Sequence, residues 1–212
     1  MRSSEVRIDL LGASHTSLSD AGIVAARAFH NDPFFEHLSP RPLQRARGLA
    51  IFWRSQLAHL GGSAVVLGAQ GPDGRLAGVA AWIKPGCYPL PVVQQLRQAG
   101  GALWALYPRP KALLDGSKYL LAIDKAHIEG PHWYLELLVV DPSVQRSGIG
   151  AMLQQGQMAK ADEAGVPCYL ETQNEDNLPY YRRHGYEVVN KLSPVRGGPP
   201  LWTMCRQPAE PG

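Results

Sequence analysis

The sequence predicts a single α/β domain, residues 1–212, with a mixed and mostly antiparallel sheet flanked by helices. Stretches with helical spacing of apolar residues alternate along the chain with short apolar runs typical of strands. A Gly-Pro-Asp-Gly turn at 71–74 joins two such runs, which is the pattern of an antiparallel hairpin. A chain of 212 residues is also long enough to bury one sizeable core.

Two helices and the hairpin are predicted for the first half of the chain. Capping candidates open a helical stretch at 16–35, and Asp32-Pro33 should end that helix because the residue before a proline disfavours helical backbone. A second helix is predicted from about Leu43 to Leu60, before Gly61-Gly62. Residues 89–128 favour two further helices, expected to cover a sheet face and line a pocket.

The second half is predicted to alternate between strands and helices. Gly165 should end the long helix of this half, since glycine favours the left-handed position after a helix. The predicted elements are a strand at 132–140, a helix at 149–165, a strand at 166–173, a short helix at 178–185, and closing strands at 186–192 and 200–205.

Composition excludes several classes of function. The net charge is +3 and the basic residues are scattered, which argues against nucleic acid as a partner. Three widely spaced cysteines and histidines without ligand spacing predict no metal site. The sequence has no apolar run long enough for a membrane span and no secretion signal, so we expect a cytoplasmic protein without a membrane partner.

A glycine-rich loop between the strand at 132–140 and the following helix carries the strongest functional signal. Free N–H groups and the helix dipole make such a helix start a ready anion site. The dinucleotide fingerprint GxGxxG fails because Leu153 stands at its third glycine, and no Lys-Ser or Lys-Thr completes a phosphate-binding P-loop. The remaining pattern is Gln-x-x-Gly-x-Gly, at Gln145, Gly148 and Gly150.

This loop resembles the acyl-CoA pyrophosphate loop of the GCN5-related N-acetyltransferase (GNAT) superfamily. A second pattern of that superfamily is matched in spacing by Asn174, Asn177, Tyr181 and Gly185-Tyr186, with asparagine where alanine is common and tyrosine where phenylalanine is common. The last 80 or so residues are most similar to the puromycin N-acetyltransferase branch. The resemblance implies a GNAT-like domain whose central strands splay near Val140, with a CoA-binding core at about 130–206.

The resemblance also implies acetyl-CoA as acetyl donor. Its pyrophosphate would be held by main-chain N–H groups, with no side chain at 148 and 150 to obstruct it, while the end of the strand would bind the pantetheine arm. The implied cofactor-binding residues are Leu138, Val139, Val140, Gln145, Arg146, Ser147, Gly148, Ile149, Gly150, Ala151, Asn174 and Tyr181.

Two side chains are candidates for catalysis. Tyr181 falls on the superfamily's tyrosine position and would act as general acid toward the CoA thiolate, although adjacent Tyr180 competes for the role. Glu136 lies within an otherwise apolar strand, where an unpaired carboxylate is costly, and period two places it on one face with Tyr134 and Leu138. It could accept the amine's proton, anchor a cationic substrate, or pair structurally with lysine or arginine.

The predicted function is therefore acetyl transfer from acetyl-CoA to a primary amine, by direct attack without a covalent enzyme intermediate. A small-molecule amine is the expected partner, and the resemblance also allows a homodimer. Two alternatives stay open: acetylation of a protein lysine or N-terminus, and an acyl-CoA-sensing module without catalysis.

Overall fold

Seven strands form one mixed sheet in the computed structural model, which describes residues 6–98 and 109–209. Their spatial order is β1-β2-β3-β4-β5-β7-β6, and only the β4–β5 pair is parallel among these strands. The predicted mixed, mostly antiparallel sheet is confirmed. The strands are β1 Arg7–Leu10, β2 Ala64–Gln70, β3 Leu76–Ile83, β4 Trp133–Val140, β5 Cys168–Thr172, β6 Glu187–Leu192 and β7 Leu201–Arg206.

Helices cover both faces of this sheet. Their described bounds are α1 His15–Ala28, α2 Pro33–Leu38, α3 Pro42–His59, α4 Pro110–Ala126, α5 Ile149–Ala164 and α6 Leu178–Arg183. A further helical run spans residues 92–98, and the rest of the helix predicted there lies outside the described residues. On one face a core forms around Trp53, Val79 and Leu137; on the other, around Trp82, Leu153 and Met204.

Two local predictions need correction. The four-residue strand β1 has no counterpart among the predicted elements, because it is largely exposed and lacks a buried alternation. Asp32-Pro33 does not end the first helix, since α1 stops at Ala28. The pair instead begins α2, where the Asp32 carboxylate accepts a bond from the N–H of Phe34 and Pro33 takes the first helical position.

The centre of the sheet opens between β4 and β5. These strands pair only at Trp133 with Cys168 and at Tyr134 with Tyr169, so the rest of β4 has no partner on this side. On its other side β4 is paired with β3 up to Val140. The predicted splay of the central strands is therefore present, and it starts immediately after Tyr134.

Strand β4 also contains a bulge at Glu136. Ala81 of β3 faces Leu137, but the next residue, Trp82, faces Leu135, which leaves Glu136 as the extra residue. The bulge reverses the alternation of side chains. Tyr134 packs in one core and Leu138 against the other, so the prediction that Glu136 shares one face with both of them is wrong.

Candidate active site

The N-terminus of α5 follows β4 after the loop at 141–148 and carries no capping side chain. Its N-cap is Gly148, and the first helical bond runs from the N–H of Met152 to the carbonyl of Gly148. The N–H groups of residues 149–151 therefore have no acceptor within the helix. Helices α1 and α2 each begin with a side chain that accepts a bond from their first turn. Helices α3, α4 and α6 lack such a side chain too, but each has a proline in its first turn, whereas the first turn of α5 keeps all its N–H groups. An uncapped start with free donors suits an anion.

The backbone before this helix is strained. Gly148 has φ of 89°, and Arg146 has φ of 62°, a conformation that non-glycine residues rarely adopt. Side chains tie the loop to the strand, because Gln145 Nε2 donates to the carbonyl of Val140 at 3.2 Å and Ser147 Oγ donates to that of Val144 at 2.6 Å. The loop is thus held in a curved form that presents its main chain.

Gly150 has a packing reason of its own for lacking a side chain. A Cβ atom at this position would lie 2.7 Å from the hydroxyl of Tyr180. That hydroxyl accepts a bond from Gln154 Nε2 at 2.8 Å, which fixes the ring over the first turn of α5. Both loop glycines were expected to leave room for the phosphates; the structure adds left-handed backbone at Gly148 and contact with Tyr180 at Gly150.

A cavity of about 470 Å³ lies at the opening between β4 and β5. Near the splayed strands it is lined by Leu138, Thr172, Asn177 and Tyr181. It continues beneath α4, where Gly116 and Leu120 form part of the wall. Helix α4 thus lines the pocket expected from residues 89–128; residues 99–108 lie outside the described part of the chain.

The structure separates the two candidate tyrosines. Tyr181 is buried and lines the cavity, and burial raises the pKa of its hydroxyl, so the group is protonated at neutral pH. Tyr180 is absent from the cavity lining and is engaged by Gln154 and the turn at Gly150. Of the pair, Tyr181 has the position from which a proton could reach a bound ligand.

Glu136 reaches the cavity as a buried carboxylate. Burial, assisted by the negative charge of Glu171, raises its pKa from 4.5 to about 7. The Oε2 atom of Glu136 has no hydrogen-bond partner in the described structure. A carboxylate whose pKa is near neutrality can both take and release a proton, as a general base must.

Glu171 and two histidines form a group that the sequence argument did not identify. Glu171 and Glu136 each lie two residues beyond the last paired position of their strands, so the β4–β5 pairing brings them together. His127 Nδ1 lies 3.4 Å from Glu171 Oε1, and His127 Nε2 lies 2.8 Å from His132 Nε2. Neither β5 nor the loop before β4 carries a motif that predicts this meeting.

The hydrogen bonds of this group orient the ring of His127. His132 Nδ1 lies 2.8 Å from the carbonyl of Gly130, to which it must donate, and burial lowers the pKa of His132, which favours the neutral ring. Its Nε2 is then an acceptor, so His127 Nε2 donates to it. His127 Nδ1 and Glu171 Oε1 are left facing each other at 3.4 Å, and neither atom has a hydrogen-bond partner among the described residues.

The remaining predicted positions are distributed around the opening. Val139 and Ile149 are buried in the two cores, Val140 packs against the second core, and Ala151 is half-buried on α5. The side-chain oxygen of Asn174 accepts a bond from the N–H of Asp176 and so caps a short turn. Asn177 lines the cavity instead and donates from Nδ2 to Thr172 Oγ1 at 3.1 Å.

The described residues offer neither a cluster of metal ligands nor a membrane-spanning helix. Among residues 6–98 and 109–209, no group of three or more His, Cys, Asp or Glu side chains is arranged to hold a metal ion. Over the same residues, every helix is too short or too polar to cross a lipid bilayer.

Known acetyltransferases share this architecture. The chain is similar to the crystal structure described as histone acetyltransferase HPA2 and related acetyltransferase from Corynebacterium glutamicum, at 21% identity and a TM-score of 0.67, covering 97% of this chain and 98% of that one. It is also similar to PaiA N-acetyltransferase from Thermoplasma acidophilum in complex with coenzyme A, at 14% identity and a TM-score of 0.58, with coverage of 96% and 99%.

A third similar structure is the ribosomal-protein-S18-alanine N-acetyltransferase from Escherichia coli, at 16% identity and a TM-score of 0.54, covering 98% of this chain and 97% of that one. At these identities the likeness shows the fold. The sequence profile of the Acetyltransferase (GNAT) family matches residues 31–186. Because that match spans more than half of the chain, the protein belongs to the GNAT family of acetyltransferases.

Proposed function

We propose that this acetyltransferase moves an acetyl group from acetyl-CoA to the primary amine of a small molecule, by direct attack within a ternary complex. One observation carries the proposal: Glu136, whose carboxyl group reaches the cavity, lies on the stretch of β4 that is unpaired on the β5 side, and the uncapped α5 is the next α-helix after that strand. A base on the open strand and an anion site beyond its end are what an amine and a CoA thioester require.

Residues of about 130–206 would form the donor half of the site. The free N–H groups of Ile149, Gly150 and Ala151, together with the loop at 145–148, would hold the pyrophosphate. The main chain at 138–140, unpaired on the β5 side, would bind the pantetheine arm. The relative from Thermoplasma acidophilum, whose structure contains coenzyme A, supports a CoA donor.

The acceptor half needs a base. An ammonium group would lose one proton to the carboxylate of Glu136, and the neutral nitrogen would then attack the thioester carbonyl. The C–N bond forms while the C–S bond breaks, and the departing thiolate takes a proton from Tyr181. The excess proton of the new amide nitrogen returns to the Tyr181 phenolate, and Glu136 releases its proton to solvent, so both side chains regain their starting states.

The cavity favours a small acceptor over a protein. Helix α4 covers the part of the cavity beyond Glu136, through residues such as Leu113 and Gly116. A protein lysine or N-terminus would want an open groove beside that carboxylate. A screen of amine acceptors, puromycin among them, with release of free CoA thiol as readout, tests the proposal. Thiol release with peptides alone, or with no acceptor at all, would count against it.

The phosphate assignment of the loop can be tested at Ser147. Both Ser147→Asp and Ser147→Ala lose the bond to the carbonyl of Val144, but only aspartate adds a negative charge beside the free N–H groups. We expect Ser147→Asp to weaken acetyl-CoA binding about tenfold or more relative to Ser147→Ala, as measured by calorimetry. Equal acetyl-CoA affinities of the two variants would show that the pyrophosphate does not bind at this loop. Gly148 is unsuitable for this test, since φ of 89° strains any replacement.

The acid role can be tested at Tyr181. Tyr181→Phe keeps the ring and removes only the proton donor, so turnover should fall about a hundredfold while acetyl-CoA affinity changes little. Tyr180→Phe is the matched control, because it loses a bond to Gln154 outside the cavity. If Tyr181→Phe turns over as fast as the parent at every pH, the sensing module without catalysis becomes the better account of this tyrosine.

A further inference from the structure

The acceptor end of the cavity is an aromatic chamber. Adjacent rings contact one another in series, with centroids 5.1 Å apart for Phe29 and Phe35 and 4.8 Å apart for Phe34 and Tyr119. The aromatic residues that line the chamber are Phe29, Phe34, Phe35, Phe52, Trp53 and Tyr119. A wall of this kind binds flat, apolar groups and offers few hydrogen bonds to hydroxyl-rich ones.

The protein compensates the charges along the chamber wall unequally. Arg45 donates to the carbonyls of His30 and Ser39 and to Glu36, at 2.6, 2.7 and 3.2 Å. Asp32 accepts a bond from the N–H of Phe34 at the start of α2 but has no cation partner among the described residues, and burial raises its pKa to about 6.

Two more carboxyl groups lie at the base of the chamber. Glu171 Oε1 lies 3.4 Å from His127 Nδ1. Glu136 has no cation among the described residues that shift its pKa, and its Oε2 atom is buried without a partner. The chamber wall thus carries two carboxyl groups, Asp32 and Glu136, that are paired with no lysine or arginine among the described residues, so its charge suits a cationic acceptor.

We propose that the acceptor is a primary amine with an apolar, aromatic body, its ammonium group against Glu136 and its body in the aromatic chamber. This inference rests on the proposed function and names the acceptor class. A negatively charged acceptor would meet the unpaired carboxyl groups of the wall, and burying an unpaired charge is costly. Sugar hydroxyls would lose their water without gaining partners.

Gly116 allows a test that preserves the fold. It lines the chamber from α4, and a Cβ atom there would have only Leu38 Cδ1 nearby, at 4.0 Å. Gly116→Leu should therefore fill the chamber while favouring the helix. Gly156→Leu is the matched control, since Gly156 is exposed on α5 with nothing within 4 Å of its Cβ position.

The experiment compares phenethylamine with ethylamine and diaminobutane. Binding is measured by calorimetry with CoA present, and acetylation by thiol release with acetyl-CoA. We expect phenethylamine to exceed the other two amines in kcat/KM by about tenfold or more. Gly116→Leu should lower its affinity and kcat/KM by a similar factor and leave ethylamine unchanged, whereas Gly156→Leu should alter neither.

The two proposals fail in different ways. If diaminobutane or a lysine peptide is the better acceptor, or if the affinity for phenethylamine does not change in Gly116→Leu, the aromatic acceptor is ruled out while acetyl transfer stands. If phenethylamine binds, if Gly116→Leu weakens that binding, and if the amine is never acetylated, the proposed reaction is wrong while the chamber assignment stands.

Discussion

Glu136 should make the fold less stable as the pH rises. Its pKa is 4.5 in an unfolded chain and about 7 in the folded one, so between these values the folded state binds more protons than the unfolded state. The free energy of unfolding then falls with increasing pH over this window. The sign is opposite to that of a carboxylate stabilised by a salt bridge, whose pKa is lowered on folding.

The replacement Glu136→Gln removes this dependence. At about pH 5 the folded glutamate is protonated and resembles glutamine; at about pH 8 it is ionised and buried without a partner. Integrating the proton difference between those two pH values gives about 2 to 3 kcal/mol. We therefore expect the variant to gain that much stability over the parent on going from the lower to the higher pH, while losing acetyl transfer.

Urea unfolding of both proteins at the two pH values measures this quantity. Comparing differences cancels the fixed cost of placing an amide in the bulge, which is the same at either pH. If the difference in unfolding free energy between variant and parent is the same at both pH values, the pKa of Glu136 is not raised. If the parent protein gained stability relative to the variant as the pH rose, a lysine or arginine would have to pair with Glu136, and the structural alternative for this residue would be right.

Two further predictions concern neighbouring positions. Gly150→Ala should lower the melting temperature because its Cβ would lie 2.7 Å from the hydroxyl of Tyr180. Gly156→Ala has open space around its Cβ and should stabilise α5 by up to about 1 kcal/mol. Equal effects of the two variants on thermal unfolding would contradict the contact with Tyr180. Glu171→Gln should move the acid limb of kcat/KM to lower pH by about one unit or less, because burial contributes more than Glu171 to raising the pKa of Glu136; a limb that moves upward would disprove this coupling.

The sequence predicted what local patterns determine. Glycine turns and apolar periods located most strands and helices, and an expensive carboxylate in an apolar strand drew attention to Glu136. The bulge around that residue was beyond prediction, because it depends on the register between β3 and β4. The meeting of Glu171 with His127 likewise depends on long-range pairing and on a loop with no motif.

The described sheet has three edges at which main-chain groups have no neighbouring strand. These edges differ in how readily they would pair with a strand of another molecule. Each outermost strand bears charged side chains, Arg7 and Asp9 on β1 and Glu187 and Lys191 on β6, which discourage another molecule from docking there. The third edge, along β4 past Tyr134, is mostly apolar, yet β5 and β7 continue the same sheet beyond it. The gap between β4 and β5 can therefore accept an extended ligand, but it cannot accept a strand that already belongs to the sheet of another molecule. The unpaired main-chain groups of β4 can therefore remain available to a ligand without promoting strand pairing between protein molecules.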